Sequence, residues 1–135
     1  MNALTTPMER AREDLAAARV LVDAGFPSQA LSRACAAALS AARAALLAVD
    51  EVPSTSAGVV AAFSRRVVAD DSLEPDHARA LRKLFEDRND VEHALAETPQ
   101  SEAEDALVSA KLVVTAAVRF IDERSAQPVT RSAGA

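Results

Sequence analysis

The stretch ALRKLFEDRNDVEHALA, residues 80–96, carries Leu81, Leu84, Phe85, Val91 and Leu95 at the three- and four-residue steps that line one face of an α-helix. The pattern begins near Pro75 and is expected to run to Ala96. Arg88 stands four after Leu84, three before Val91 and seven before Leu95, in the middle of that apolar face. A guanidinium stays charged at any pH a protein meets, so its place in the stripe needs a reason beyond core packing. His93 follows five residues later in a chain with only two His.

Working outward, the same period recurs on both sides. Thr6-Pro7-Met8-Glu9 reads as a helix start, with Thr6 as cap, Pro7 in the first turn and Glu9 completing a capping box. Met8, Ala11, Leu15, Ala18 and Val22 then make one stripe until Gly25 ends it. Pro27 opens a second helix to about Asp50, seamed by Leu31, Cys35, Ala38, Ala42 and Ala45; Ser32, Arg33, Ser40 and Arg43 keep it from being apolar all round. DEVPSTSAG, residues 50–58, is a loop by its Pro, Ser and Gly. A short helix with Val59, Val60, Phe63 and Val67 inward and Arg65 and Arg66 outward follows, then a break at residues 69–76. Ser101-Glu102-Ala103-Glu104 reads as a second capping box, opening a helix to about Arg124 with Ala103, Leu107, Ala110, Val114, Ala117 and Ile121 as its core stripe. The expected fold is all-α: an up-and-down bundle of four long helices and one short one over residues 1–125, with a small-residue tail, 126–135, expected to be disordered.

Composition agrees. Half the 135 residues are apolar, with three Gly, no Trp and no Tyr, which favours an Ala-rich helical domain that gains from oligomerisation. The net charge of −5 argues against a general nucleic-acid coat. It leaves room for a local basic groove, because 13 of the 15 positive charges are Arg, the residue suited to forked phosphate contacts. Cys35 is the one Cys, so neither a disulfide framework nor a metal cluster is expected, and its simplest role is a small buried hydrophobe. No cofactor is expected. The opening residues lack a secretory-signal pattern and no apolar run comes near spanning length; the expected address is the cytoplasm, with no membrane.

The chemistry-bearing candidates are Arg88, Asn89 and His93. Five helical steps separate Arg88 from His93 by about 140°, so one copy of the helix cannot aim both at one point. A second copy related by a two-fold axis would bring two Arg and two His into one groove, and would account for Arg88 in the stripe. Read from the residues alone, a plainer account also stands: Arg88 pairs with Glu92, four residues on, and His93 is a surface His. Arg79, Arg82 and Lys83 are further candidates for contacts to a phosphate-bearing ligand, or simply a solvated helix face.

RNDVEH (88–93), the preceding ALRKLFEDR (80–88) and the second-helix run ALSRACAAALSAARAALLA (30–48) together resemble the HEPN family, over about Met8 to Ile121. The resemblance is to its small stand-alone bacterial members, often encoded beside an MNT nucleotidyltransferase. It implies a homodimeric, metal-independent ribonuclease acting on RNA as the toxin of a toxin–antitoxin pair, with the nucleotidyltransferase as antitoxin. By that resemblance His93 is the general acid/base, Arg88 holds the scissile phosphate and Asn89 orients one or the other. The rival expectation is a HEPN-like module without catalysis that docks a nucleotidyltransferase or a nucleotide.

The chain also departs from the family. Asp87, Asp90 and Glu92 surround the motif, and carboxylates there repel RNA unless paired or turned away. The second helix carries Leu31, Cys35, Leu39 and Ser40 where family members often carry aromatics and a His, so a secondary ligand pocket there does not follow from the resemblance. Some members extend the motif to RxxxxHxY and receive AMP on that Tyr; here the position is Leu95 and the chain holds no Tyr, so a partner is expected to silence by occlusion.

Overall fold

The computed structural model describes residues 6–69, 73–94 and 97–126, with the side chains of residues 68, 69, 93, 94 and 126 outside that description. The expected tail from residue 127 onward and the end of the fourth helix at Leu95–Ala96 also lie outside it. Five helices appear in order: α1 (Pro7–Asp23), α2 (Pro27–Leu47), α3 (Ser56–Ala69), α4 (Pro75–Ala94) and α5 (Gln100–Ala126). Among the described residues there is no strand, and the all-α bundle read from the sequence is the fold.

Local chemistry sets most of the ends. The capping box forms: Glu9 N–H donates to Thr6 Oγ1 at 3.1 Å, and Thr6 N–H donates to Glu9 Oε1 at 2.9 Å. Gly25 takes φ +83, the left-handed region where a Cβ is disfavoured, and turns the chain into Pro27. α2 stops at Leu47, short of the expected Asp50, because Asp50 itself adopts φ 61 and closes the turn, with Glu51 N–H reaching back to Leu46 O at 2.9 Å. At the start of α4, Glu74 N–H donates to His77 Nδ1 at 3.1 Å, so His77 caps that helix as a Glu would. The second expected box does not form: α5 begins at Gln100, which puts Ser101 inside the first turn. There the Pro99 carbonyl accepts from Glu102 and Ala103, and the Gln100 side chain donates to Val22 O at 2.7 Å, tying the start of α5 to the end of α1.

α2 is the hub, packed by α1, α4 and α5 along its length and by α3 near its end. Its Ala30, Leu31, Ala34, Cys35, Ala38, Leu39, Ala41, Ala42, Ala45 and Leu46 are all in the core. Small side chains let four neighbours approach one helix, and the bulk comes from Leu31, Leu46, Leu81, Leu84, Phe63 and Phe120. The Ala content gives the 21-residue α2 an 18-residue window of mean hydropathy 1.3, so it meets the length and composition of a membrane span, contrary to the sequence expectation; 61% of that window is buried in the bundle. The backbones of α1 and α4 do not approach each other. The outward side of α2 therefore floors a groove walled by α1 and α4.

Candidate active site

Arg88 stands on the inward side of α4, as the stripe requires: Leu81 and Leu84 are buried, and Phe85 and Val91 pack partly buried against the core. Its side chain is only 20% exposed. The Nε lies 3.7 Å from Glu92 Oε2, too long for a hydrogen bond, and is a buried nitrogen without an acceptor among the described residues. The guanidinium carbon is 5.6 Å from the centre of the Phe85 ring. A loose ion pair and a ring are weak partners for a mostly buried guanidinium, and an orphaned buried N–H costs roughly 1–3 kcal/mol.

The guanidinium borders an open cleft of about 370 Å3 at one end of the groove. Arg10 and Asp14 from α1, Ser40 and Arg43 from α2, and Ser56 at the start of α3 also line it. These α2 residues are the polar positions that interrupted its apolar pattern. Arg43 Nη1 donates to Pro53 O at 3.3 Å, which holds the loop before α3 against α2. Asp14 accepts from Arg33 Nη1 at 3.2 Å. Arg10 and Arg43 went unseen as site residues in the sequence. The signal available was that Arg43, Ser40 and Arg33 share the one side of α2 that is not apolar.

The acidic residues of the motif are dispersed. Asp87 accepts from Lys83 Nζ at 2.8 Å and faces α5, lining a separate cleft with Glu102 and Asp105. Asp90 is exposed. Glu92 is the one that pairs with Arg88. Asn89 is half-buried. α4 continues through His93, but that side chain lies outside the described residues, so the Arg88–His93 geometry within one chain rests on the helix alone. Cys35 lies buried in α2; burial pushes its thiol up to about 11, the Arg88 charge pulls it down, and Glu92 and Asp87 push it up again. Such a thiol is not a nucleophile at neutral pH.

Arg79, Arg82 and Lys83 are not brought to this cleft. Arg79 pairs with Asp76 and Lys83 with Asp87, both exposed, while Arg82 Nη2 donates to Ser64 Oγ of α3 at 3.0 Å. Among the described residues no cluster of His, Cys, Asp and Glu is arranged to hold a metal ion.

A helical bundle whose fourth helix carries Arg-Asn-Asp-Val-Glu-His, with the Arg half-buried beside a basic cleft, defines a class of small all-α domains. The model of the HEPN domain matches residues 6–121, and the chain belongs to the HEPN family. No curated protein matches it.

Proposed function

We propose that this HEPN protein is a metal-independent endoribonuclease, the toxin of a toxin–antitoxin pair, with a composite site formed where two copies meet. The observation that carries the reading is Arg88, a mostly buried side chain at the edge of a cleft whose Nε–H finds no acceptor among the described residues, in the Arg position of the family's RxxxxH motif. Evolution tolerates such an unsatisfied group where another molecule supplies the acceptor.

In this mechanism a His93 imidazole takes the proton of a ribose 2′-OH. The 2′ oxygen bonds to the neighbouring phosphorus, the P–O5′ bond breaks, and the leaving oxygen takes a proton from imidazolium. The products are a 2′,3′-cyclic phosphate and a 5′-OH. Arg88 holds the phosphate and stabilises charge growing on its oxygens, and Asn89 orients it. The two-fold dimer supplies the second His, so one acts as base and the other as acid. Arg79, Arg82 and Lys83 contribute only long-range attraction for the strand. A nucleotidyltransferase antitoxin would act by covering the groove, since Leu95 offers no hydroxyl where other members present a Tyr.

The second reading, a non-catalytic module, draws on the Arg88–Glu92 pair, which puts a carboxylate 3.7 Å from the guanidinium. One experiment separates them. The purified protein is incubated with an oligoribonucleotide in excess chelator and the ends are identified by mass. Cleavage to 2′,3′-cyclic phosphate ends that His93→Ala abolishes is the expected result. Intact RNA with wild type, in protein shown by light scattering to be dimeric, would leave the docking module as the reading.

A further inference from the structure

We infer that Arg10, Arg43 and Arg88 together bind one phosphoryl group in the cleft between α1, α2 and the start of α3, so that Arg10 and Arg43 are ligand-binding residues. Five cationic side chains elsewhere hold close carboxylate partners: Arg19 pairs with Asp23, Arg33 with Asp14, Arg66 with Glu51, Arg79 with Asp76 and Lys83 with Asp87. Arg88 has only the loose 3.7 Å pair with Glu92. The cleft gathers cations that lack such a close partner. Three guanidiniums from three helices border one space, and the one carboxylate among the described residues that line it, Asp14, already holds Arg33.

Each of the three keeps hydrogen-bonding capacity. Arg88 Nε–H has no acceptor among the described residues. Arg43 gives one N–H to Pro53 O and retains the rest of its fork. Arg10 is exposed and has no side-chain acceptor among the described residues. Like charges gathered this way repel, and an anion between them reverses the sign of the interaction. Ser40 and Ser56 add hydroxyls, and Ser56 opens α3, so the positive end of that helix dipole abuts the cleft. A cleft of about 370 Å3 falls within the roughly 300–1,000 Å3 of small-ligand sites, room for a phosphate with its sugar. Forked donors from several directions fit a tetrahedral, multiply charged oxyanion better than a planar carboxylate, which one fork suffices to hold.

The phosphoryl group could belong to an RNA strand or to a free nucleotide or phosphate. That the RNA strand is the natural source rests on the nuclease reading; the phosphate site does not. The test is thermal unfolding and binding titration of the whole protein with inorganic phosphate and pyrophosphate, against chloride at matched ionic strength. A nucleoside monophosphate and a short oligoribonucleotide form the further arms. Phosphate should raise the wild-type Tm. Arg10→Gln, an exposed position where the fold is not at stake, should weaken binding by about tenfold or more, the loss of one charged contact. Arg43→Lys keeps the charge and loses the fork, and should weaken it less. Arg119→Gln, on exposed α5 surface, removes the same charge elsewhere and should bind as wild type. His93→Ala should keep the phosphate response even as it loses cleavage, which separates this site from the nuclease reading. If Arg10→Gln weakens the oligoribonucleotide as well as inorganic phosphate, the source is the strand; if it weakens phosphate, pyrophosphate and the nucleotide but leaves the oligoribonucleotide unchanged, the source is a free phosphate. The inference is overturned if wild type shows no phosphate-specific shift, or if Arg10→Gln and Arg119→Gln respond alike.

Discussion

Two groups of cationic side chains in this bundle look equally basic and behave differently. Arg79, Arg82 and Lys83 crowd into one turn and a half of α4, yet each is satisfied by a neighbour: Asp76, Ser64 and Asp87. Arg10, Arg43 and Arg88 are far apart in the chain, yet they share one cleft; among the described residues its one lining carboxylate is taken by Arg33, and Arg88 has only a loose 3.7 Å pair with Glu92. The first group is a solvated helix face. The second has donors left over, one of them buried. A cluster of charge in sequence is thus a poor guide to binding; the number of unsatisfied donors converging on one space is a better one.

The largest effect is expected from Arg88→Leu. If Arg88 is there for a ligand, its half-buried charge is a burden on the fold, and an apolar side chain of similar reach should pack against Leu84 and Val91 at least as well. Cleavage should fall by about 10²–10³-fold, as for removal of one donor to a transition-state oxyanion, while Tm in denaturation experiments stays level or rises. A drop in Tm of many degrees would instead make Arg88–Glu92 a structural pair and put the cleft on the same footing as the α4 row.

Sequence reading reached the fold because helices are written locally. The Thr6–Glu9 box, the Gly25 stop and the Leu81–Leu84 stripe involve residues within a turn of each other, and all three stand in the structure. It failed where tertiary packing decides. Ser101 and Glu104 have the pattern of a box, but the chain enters α5 earlier, where Gln100 bonds to the end of α1. Val113 and Phe120 lay outside the narrow stripe expected of α5, and both are fully buried because α1, α2 and α4 all pack on that helix. The Arg half of the site was legible as an anomaly, a charge in an apolar face. Its companions were not, since nothing in a helical period relates residue 10 to residue 43.

A smaller effect sharpens the comparison from below the cleft. Cys35 is held neutral by burial, its thiol moved from 9.0 up to about 11. A raised folded value means the unfolded chain loses this proton first as pH rises. The associated stability is therefore complete below about pH 9 and is lost between pH 9 and 11, by roughly 2–3 kcal/mol. Lys83, raised by Asp87, works in the same direction but is too exposed to add much. Urea titrations across that range should show the decline, and Cys35→Ala should flatten it. Because the Arg88 charge favours the thiolate, Arg88→Leu should leave the onset near pH 9 and extend the decline to higher pH. An unchanged curve in that variant would mean the guanidinium is not close enough to Cys35 to be felt, contrary to the cleft geometry.

The smallest effects belong to the α4 row. Arg79→Ala and Lys83→Ala each remove one half of an exposed intrahelical pair, with side chains 71% and 70% exposed. Pairs of that kind contribute about 0.3–0.5 kcal/mol, and Ala restores part of that through its helix propensity, so Tm should change by only a degree or two. RNA affinity should fall slightly for both, with the loss disappearing at high salt as long-range attraction is screened. Arg10→Gln removes the same single charge, yet its effect should survive in high salt, because a forked contact inside a cleft is screened less than a charge on an open face. The comparison is therefore read most directly as a ratio: the affinity lost by Arg10→Gln over that lost by Lys83→Ala, measured at low and at high ionic strength. A ratio that grows with salt marks the cleft as a contact site and the row as background; a ratio that stays near one would erase the distinction between them.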